Sequence, residues 1–169
     1  LVAALTPVSM DHIGVLGNTL GEIAAQKAGI IKKECKVVSA AQKTESRIVI
    51  EQKAKECGCP MSFVDTTQIR DRNRGLMKQR FSYKERTQVE ISLAGEYQFE
   101  NAALALDVLD ELNKMGYVIS EEAIRKGMRH TSWQGRFSVV AKEPLFLMDG
   151  AHNRDAARVL RDSILQDLK

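Results

Sequence analysis

The sequence is poor in several residue types that would point to particular classes of protein. Its 169 residues include three cysteines, three prolines and one tryptophan. An odd and sparse set of cysteines argues against a disulfide framework and for a reducing, cytoplasmic setting. Cys57 and Cys59 have no second pair of ligands elsewhere in the sequence, so a zinc site is not expected.

Long apolar runs and a strong charge excess are also missing. No apolar run approaches the length of a membrane span, and the N-terminus lacks the basic and then apolar segments of a secretory signal. The formal net charge of +3 is too small to imply a nucleic-acid partner by itself. We therefore expect neither a membrane nor a nucleic acid as a partner.

The composition is that of an ordinary globular protein, with 44% hydrophobic and 28% charged residues. The length is sufficient for one domain with a full core. The first residue is not methionine, and the chain opens inside a strand-like run and closes inside a helix-like run over residues 155–169. We expect the chain to be an internal part of a longer protein.

Strand and helix patterns alternate in the first 64 residues. One helix is expected from an N-cap at Thr19 to Gly29, and a second from an N-cap at Thr44 to about Glu56. This alternation is typical of a parallel α/β sheet, so an α/β fold is predicted. The expected strands are residues 2–5, 36–41 and 61–64.

The segment from Arg70 to Arg86 is strongly basic, with seven basic residues against two acidic ones. Phe81 and Tyr83 alternate with polar residues in it, which is typical of an exposed strand, and residues 89–93 continue as its partner. Basic residues interleaved with aromatics are one way to bind single-stranded nucleic acid. A solvated hairpin is the more common explanation, and the weak overall charge favours it.

Helical periodicity returns after Gly95 and continues to Gly116. Ser120 is expected to cap a further helix, and Asn153 another, after two strands at residues 138–141 and 145–148. The repeated apolar positions of the long helix are expected to lie in the core; they are Ala102, Ala105, Leu109 and Leu112.

The first helix carries the most informative residue, Lys27. Leu20, Ile23 and Ala24 form a buried stripe, and Lys27 continues it by helical spacing. A lysine on the packed side of a helix loses hydration, which favours the neutral, reactive amine. Alternatively, a lysine in the last turn only complements the helix dipole.

Asp11 and His12 follow the first strand, where open α/β sheets place their ligands. On its own, His12 would more often be an ordinary loop histidine than a ligand. Thr19 and Glu22 have the spacing of a capping box at the start of the helix that follows.

The whole stretch from Asp11 to Lys32 reads D-H-I-G-V-L-G-N-T-L-G-E-I-A-A-Q-K-A-G-I-I-K. It resembles the signature of the folylpolyglutamate synthase and dihydrofolate synthase family, within the Mur ligase superfamily. That signature is approximately D-H-x-x-x-L-G-x-T-x-x-x-I-A-x-x-K-A-G-I-I-K, and every fixed position matches. The resemblance implies that His12 binds magnesium and that Lys27 is carbamylated and presents an oxygen anion to the metal and phosphate site.

Weaker matches follow along the chain in the family's order. The family has G-x-H-Q-x-x-N before an alanine-rich helix; Gln98 and Asn101 match it, and Tyr97 replaces the histidine. The resemblance implies that Asn101 helps to hold ATP. It also implies that Arg136, in W-Q-G-R-F, reaches phosphate oxygens, and arginine suits that task because its guanidinium is a rigid fork.

The family's second signature, D-G-A-H-N, is present at residues 149–153. By resemblance, Asp149 would contact the nucleotide and His152 would lie beside it. Arg154 stands where the family often has proline. A polar cluster between a strand and a helix is also a common ligand position in α/β proteins.

The resemblance implies an ATP-dependent ligase that adds L-glutamate to folate or dihydropteroate through an acyl phosphate, with ATP and Mg2+ as cofactors. Residues 1–136 would form the C-terminal part of a parallel-sheet ATPase domain, and residues 137–169 the start of a second α/β domain. The parent enzyme is expected to be a monomer.

The sequence lacks a G-x-x-x-x-G-K-[ST] phosphate loop, so the chain alone is expected to be inactive. Two alternatives remain open at this point. One is a peptidoglycan ligase of the Mur type, and the other is a non-catalytic module that binds nucleic acid.

Overall fold

The computed structural model describes residues 1–11 and 14–167. The chain divides into two compact units. The first contains Leu1–Asp65 and Leu104–Val118, and the second contains Thr66–Ala103 and the chain from Ile119 onward. The domain boundary predicted near Arg136 falls within the second unit and stays a prediction.

A parallel three-stranded sheet organises the first unit. Its strands are β1 (Val2–Leu5), β2 (Lys36–Ser39) and β3 (Met61–Phe63), in the order β1-β2-β3. Both strand pairs are parallel. A long connection separates β1 from β2 and β2 from β3, which is what parallel pairing requires. The predicted α/β fold with a parallel sheet is confirmed.

Two helices connect these strands, α1 (Leu20–Ala28) and α2 (Thr44–Glu56). Thr19 is the N-cap of α1, as predicted. The predicted cap at Thr44 is wrong, because the extended residue before α2 is Lys43 and Thr44 is already helical. Lys43 makes no capping bond through its side chain, so α2 starts without the hydroxyl cap that the sequence suggested.

The core of the first unit forms where α1 and α2 pack with the sheet. Ile23 and Ala24 of α1 and Ile50 of α2 are fully buried, and Val37 of β2, in the same cluster, is 1% exposed. Burying aliphatic side chains of this size stabilises the fold by about 1.5–3 kcal/mol each. The stripe predicted for the first helix is therefore confirmed for its apolar members.

An antiparallel sheet forms part of the second unit. Its strands are β4 (Ile69–Asn73), β5 (Gln79–Tyr83) and β6 (Arg86–Ile91), with β5 in the centre. Phe81 and Tyr83 are both 0% exposed, so the prediction of an exposed strand is wrong. The alternation is present, but the face of β5 that carries Gln79, Phe81 and Tyr83 is the buried one, whereas Arg80 on the other face is exposed.

Several basic side chains of this sheet form ion pairs. Lys78 and Arg80 contact Glu90 at 3.2 and 3.1 Å, and Arg86 contacts Glu121 at 2.9 Å. The two cations beside Glu90 hold the pKa of its carboxyl below the usual value, mainly through hydrogen bonds from Lys78 and then Arg80. Much of the local positive charge is therefore balanced within the fold.

The long helix α3 (Tyr97–Lys114) follows the sheet. Ala102 of the predicted core positions is buried, whereas Ala105 is exposed, so that part of the prediction is wrong. Leu109 and Leu112 are half-buried. The buried face is instead rotated slightly and includes Phe99, Ala103 and Leu106.

The remaining elements are α4 (Glu121–His130), the antiparallel strands β7 (Ser138–Lys142) and β8 (Leu145–Met148), and α5 (Arg154–Asp167). Ser120 caps α4 as predicted, and its hydroxyl accepts a hydrogen bond from the Ala123 backbone N–H at 3.1 Å. Among the helices within residues 1–11 and 14–167, none is long and apolar enough to cross a membrane.

Candidate functional site

The loop before α1 is held in place by the first turn of that helix. The Thr19 hydroxyl accepts a hydrogen bond from the Glu22 backbone N–H at 3.2 Å. Glu22 in turn accepts one from the Asn18 backbone N–H at 2.6 Å. In an ordinary capping box the acid bonds to the cap residue itself, so here the carboxylate reaches one residue further back and also fixes the preceding loop.

Gly17 is required by this arrangement. Its φ of +140° is uncommon for other residues, and a Cβ there would lie 2.4 Å from the Cβ of Glu22. The glycine of the L-G-x-T motif therefore allows Glu22 to fold over the loop.

Another carboxylate occupies the start of α1 from outside the helix. The backbone N–H of Gly21 donates a hydrogen bond to Glu45 Oε1, in the first turn of α2, at 2.7 Å. Glu45 was not among the residues predicted for the site. Its partner lies 24 positions away, and a spacing of that size carries no periodic signal.

Lys27 lies in the last turn of α1 and is half-buried. Its ammonium forms no ion pair with any residue in the described part of the chain. This half-buried position is the one expected for a lysine at the edge of the buried stripe of α1. His12, its predicted partner, lies outside the described residues, so the pairing of these two side chains stays a prediction.

In the second unit, Asp149 joins two loops that contain predicted site residues. Its Oδ2 accepts a hydrogen bond from the Phe137 backbone N–H at 2.7 Å, and its Oδ1 accepts one from the Ala151 backbone N–H at 2.8 Å. The Gly150 backbone N–H also donates to Gly135 O at 2.8 Å. The W-Q-G-R-F and D-G-A-H-N motifs are thus fixed against each other.

Arg136 lies in the W-Q-G-R-F loop, which the hydrogen bonds to Asp149 and Gly150 hold in place. The residues on either side of it have positive φ, +76° at Gly135 and +46° at Phe137, and the Phe137 side chain is buried. Arg136 itself is exposed and forms no ion pair with any residue that the structure describes. A guanidinium held at its backbone, with its donors open to solvent, is suited to bind an oxyanion.

Tyr97, at the start of α3, lies within the electrostatic reach of both motifs. Burial raises the pKa of its phenol, and the negative charge of Asp149 raises it further. The positive charge of Arg136 and a hydrogen bond with Gln98 act in the opposite direction. No role was predicted for position 97, where tyrosine replaces the histidine of the family pattern.

Gln98 and Asn101 form the next contact on α3. Asn101 Nδ2 donates to Gln98 Oε1 at 3.0 Å, and Gln98 is buried while Asn101 is half-buried. The amide pair therefore has a fixed orientation, one turn into the helix that begins with Tyr97.

His152 and Asn153 complete the second motif. His152 Nδ1 lies 2.8 Å from Gly150 O, which fixes the imidazole when that nitrogen carries the proton. Asn153 Oδ1 accepts from the Ala156 backbone N–H at 2.8 Å, so the predicted N-cap of α5 is confirmed. Arg154 is the first residue of that helix.

The structure therefore brings together Arg136 and Asp149, with His152 in the same loop as Asp149 and Tyr97 within the field of both charges. Asn101 joins this group through Gln98. Lys27 belongs to the first unit. The individual roles of these residues stay predictions.

The described residues contain no cluster of three or more histidine, cysteine, aspartate or glutamate side chains that could hold a metal ion. Magnesium prefers oxygen ligands and is often bound by one or two carboxylates together with phosphate oxygens.

No family model matches the chain. It is nevertheless 34% identical over 172 residues to a dihydrofolate synthase/folylpolyglutamate synthase of Bacillus subtilis, covering 98% of this chain and 40% of that protein. It is 30% identical to a folylpolyglutamate synthase of Lacticaseibacillus casei, with the same coverage of 98% and 40%. The chain thus spans about two fifths of the length of these curated relatives.

Solved structures give the same result. A structure described as an FPGS–AMPPCP–folate complex is 29% identical, with a TM-score of 0.90 over 98% of this chain and 42% of the other. The folylpolyglutamate synthase of Mycobacterium tuberculosis, complexed with ADP and AMPPCP, is 25% identical, with a TM-score of 0.86 over 98% of this chain and 39% of the other. Over nearly its whole length, the chain is therefore related to the folylpolyglutamate synthase and dihydrofolate synthase family.

Proposed function

We propose that the chain is part of an ATP-dependent ligase that joins L-glutamate to folate or dihydropteroate. ATP would phosphorylate a carboxylate of the pterin-linked substrate, and the glutamate amine would then attack the acyl phosphate to form an amide. The chain spans about 40% of the length of relatives with these names, so the activity is proposed for the complete protein.

The observation that carries the proposal is the pair of loops fixed by Asp149. They present Arg136 to solvent with no ion pair among the described residues, beside the loop that contains His152. We assign Arg136 to the phosphate oxygens of ATP, because a guanidinium donates two parallel hydrogen bonds to such a group. Its positive charge would offset the negative charge that develops as the phosphoryl group is transferred.

We assign the other predicted residues to contacts around the same nucleotide. Asn101 would hold ATP through its amide, which Gln98 orients. Asp149 would contact the nucleotide with the lone pairs that remain on its oxygens, and His152 would lie beside it. In the first unit, Lys27 would carry a carbamate and thereby turn a cation into an anion.

Magnesium would supply charge neutralisation of the phosphates when bound. The residues proposed for it are His12 and the carbamate on Lys27.

The aromatic residues that suggested a nucleic-acid-binding module are not exposed. Phe81 and Tyr83 are buried in the core of the second unit, so their rings are not exposed to stack on bases. The peptidoglycan alternative has no separate observation in its favour.

Binding of the ATP analogue AMPPCP to the 169-residue chain tests the role of Arg136. Substituting Arg136→Gln removes one or two charge-assisted hydrogen bonds, worth about 1.5–3 kcal/mol each, so the affinity should fall about tenfold or more. Arg158→Gln is the matched control, because Arg158 is also exposed and its guanidinium pairs with Asp155 at 2.6 Å. Equal affinities for the two variants would refute the assignment.

Turnover tests the proposed reaction. In the polypeptide that the complete gene encodes, phosphate release from ATP should require both L-glutamate and a folate or dihydropteroate. The 169-residue chain alone should bind the nucleotide weakly and release no phosphate. Glutamylated product formed by the 169-residue chain alone would contradict this proposal.

A further inference from the structure

Two thiols lie side by side in the first unit, and neither has been given a role above. Cys35 Sγ and Cys59 Sγ are 3.5 Å apart, and the two side chains are 9% and 7% exposed. Cys35 directly precedes β2, and Cys59 lies two residues before β3. All cysteines of the chain are in the free form.

The register of the parallel sheet explains why these thiols meet. Val37 of β2 pairs with Met61 of β3, and Cys35 and Cys59 each lie two residues before that pair. Neighbouring strands are about 4.8 Å apart, which is within the range of Cα separations that a disulfide spans, roughly 4.4–6.8 Å. A disulfide needs the two sulfur atoms to approach to about 2.05 Å, a change that side-chain rotation can provide.

The thiols also contact the chain that follows α1. Cys59 Sγ donates to Lys32 O at 3.0 Å, and the half-buried Cys57 donates to Ile31 O at 3.6 Å. Both strands start at this end of the sheet, whereas Asp11 follows the carboxyl end of β1. The thiol pair is therefore at the amino ends of the parallel strands, opposite their carboxyl ends.

We propose that Cys35 and Cys59 are a site of reversible oxidation, at which a peroxide converts the thiol pair into a disulfide that links the starts of β2 and β3. In the first step, one thiolate attacks the O–O bond of hydrogen peroxide, which gives a sulfenic acid and hydroxide that is protonated to water. The second thiol then attacks the sulfenic sulfur, the S–S bond forms, and the oxygen leaves as a second water. Two thiols lose two electrons and two protons, and the peroxide is reduced to water.

The surroundings of the pair predict how the reaction depends on pH. Burial raises the pKa of the Cys59 thiol above its usual value, and the neighbouring Cys35 adds to the shift. The thiolate is the reactive form, so cross-linking should be slow near pH 7 and faster as the pH rises toward 9.

Mass spectrometry of the intact chain after treatment with hydrogen peroxide at pH 8.5 tests the proposal. The monomer should lose the mass of two hydrogen atoms and regain it with dithiothreitol. Trypsin should then release the peptide containing Cys35 linked to the peptide that contains Cys57 and Cys59. No loss of two hydrogens in the monomer would overturn the proposal.

Three variants assign the partners. Cys35→Ala and Cys59→Ala should each abolish the cross-link, whereas Cys57→Ala, the matched control, should keep it. Circular dichroism confirms that each variant is folded, and Cys35→Ser and Cys59→Ser replace any that is not. A cross-link that survives in Cys59→Ala and disappears in Cys57→Ala would assign the bond to Cys57 and refute the pair proposed here.

The oxidised chain should also be more stable to heat. A bond between residues 24 positions apart restricts the unfolded chain, so the melting temperature should rise by about 5–10 °C on oxidation. AMPPCP affinity should be the same in both redox forms, which makes this result independent of the proposed ligase activity. An unchanged or lower melting temperature of the cross-linked chain would refute the stabilising role.

Discussion

The carboxylate of Asp149 and the backbone N–H of Phe137 form a 2.7 Å hydrogen bond that joins two motifs twelve residues apart. The other oxygen of the same carboxylate accepts from the Ala151 backbone N–H. Asp149 therefore has a structural task in addition to the nucleotide contact proposed for it. These two tasks can be separated by experiment.

Asp149→Asn should destabilise the chain by about 1–2 kcal/mol, because an amide replaces a charged acceptor and offers only one oxygen. Urea denaturation of the 169-residue chain measures the change. Asp155→Asn is a suitable control, since Asp155 pairs with exposed Arg158 and such a pair contributes about 0.2–1 kcal/mol. If Asp149→Asn costs no more than the control, the carboxylate does not hold the two loops together.

The titration of Tyr97 reports on the same group of residues. Its folded-state pKa is raised by burial and by the charge of Asp149, so Asp149→Asn should lower that pKa and Arg136→Gln should raise it further. Ultraviolet absorbance of the phenolate follows the titration, and Tyr97→Phe identifies the contribution of this tyrosine. Shifts in the same direction in both variants would contradict the arrangement of charges described above.

The raised pKa of Tyr97 also predicts a pH dependence of stability. The phenol is neutral in both folded and unfolded chains at neutral pH, so it has no effect there. Above about pH 10 the unfolded chain ionises more readily, and the folded state loses stability as the pH rises. In Tyr97→Phe, this part of the alkaline loss should be absent from the denaturation curves.

Gly17→Ala should destabilise the chain through two effects. The residue has φ of +140°, and its new Cβ would lie 2.4 Å from the Cβ of Glu22. A cost of about 1–3 kcal/mol is expected. Gly14→Ala is the matched control, because Gly14 also has positive φ but has no atom within 4 Å of the added Cβ. An equal loss of stability in the two variants would mean that a small shift of Glu22 relieves the contact.

Limited proteolysis tests the proposed boundary between residues 1–136 and 137–169. Residues 131–134 are exposed and lie outside helices and strands, whereas Ala102 to Leu104 are buried in α3. The first cuts should therefore fall between about Thr131 and Phe137. Preferred cutting within Ala102 to Leu112 would refute this boundary.

Lys27 is the most specific catalytic prediction. In the polypeptide that the complete gene encodes, Lys27→Ala should cost roughly 3–4 kcal/mol of transition-state stabilisation, the loss expected for one preorganised electrostatic group. Short carboxylic acids should partly restore activity by supplying the missing oxygens. Lys27→Arg should not be restored, because guanidinium remains charged and fills the space.

Lys33→Ala serves as the control for Lys27, since Lys33 is exposed and lies in the segment just after α1. It should retain normal turnover. A crystal structure of the complete protein grown with bicarbonate would reveal the carbamate directly. An unmodified amine, together with near-normal activity of Lys27→Ala, would leave this lysine with only its role at the end of the helix.

Local signals explain which features the sequence could predict. Thr19, Ser120 and Asn153 are caps that depend on residues three positions away, and all three were predicted correctly. The parallel sheet followed from the order of its elements. The motif residues Arg136 and Asp149 were identified by resemblance, but their mutual arrangement depends on a hydrogen bond between backbone and side chain that no spacing encodes.

The errors have physical causes of the same kind. Alternation in β5 could not reveal that the strand is central, so Phe81 and Tyr83 were expected at the surface. Thr44 has a better capping side chain than Lys43, but the backbone enters α2 one residue earlier. Ala105 fits a helical period, yet the true buried face of α3 is slightly rotated from it. In β5 and α3, packing against the rest of the fold determined which side chains are buried, and local sequence patterns do not contain that information.

The bond between Gly21 and Glu45 has a consequence for the binding of anions. The first turn of a helix usually attracts phosphate, because its backbone N–H groups point outward. In α1, a carboxylate from α2 already occupies one of these donors. This carboxylate is tethered to the same chain, so it competes at a high effective concentration. A free phosphate could use the Gly21 amide only by displacing Glu45. The start of α1 is therefore expected to bind free anions in solution less tightly than a helix start whose amides are unoccupied.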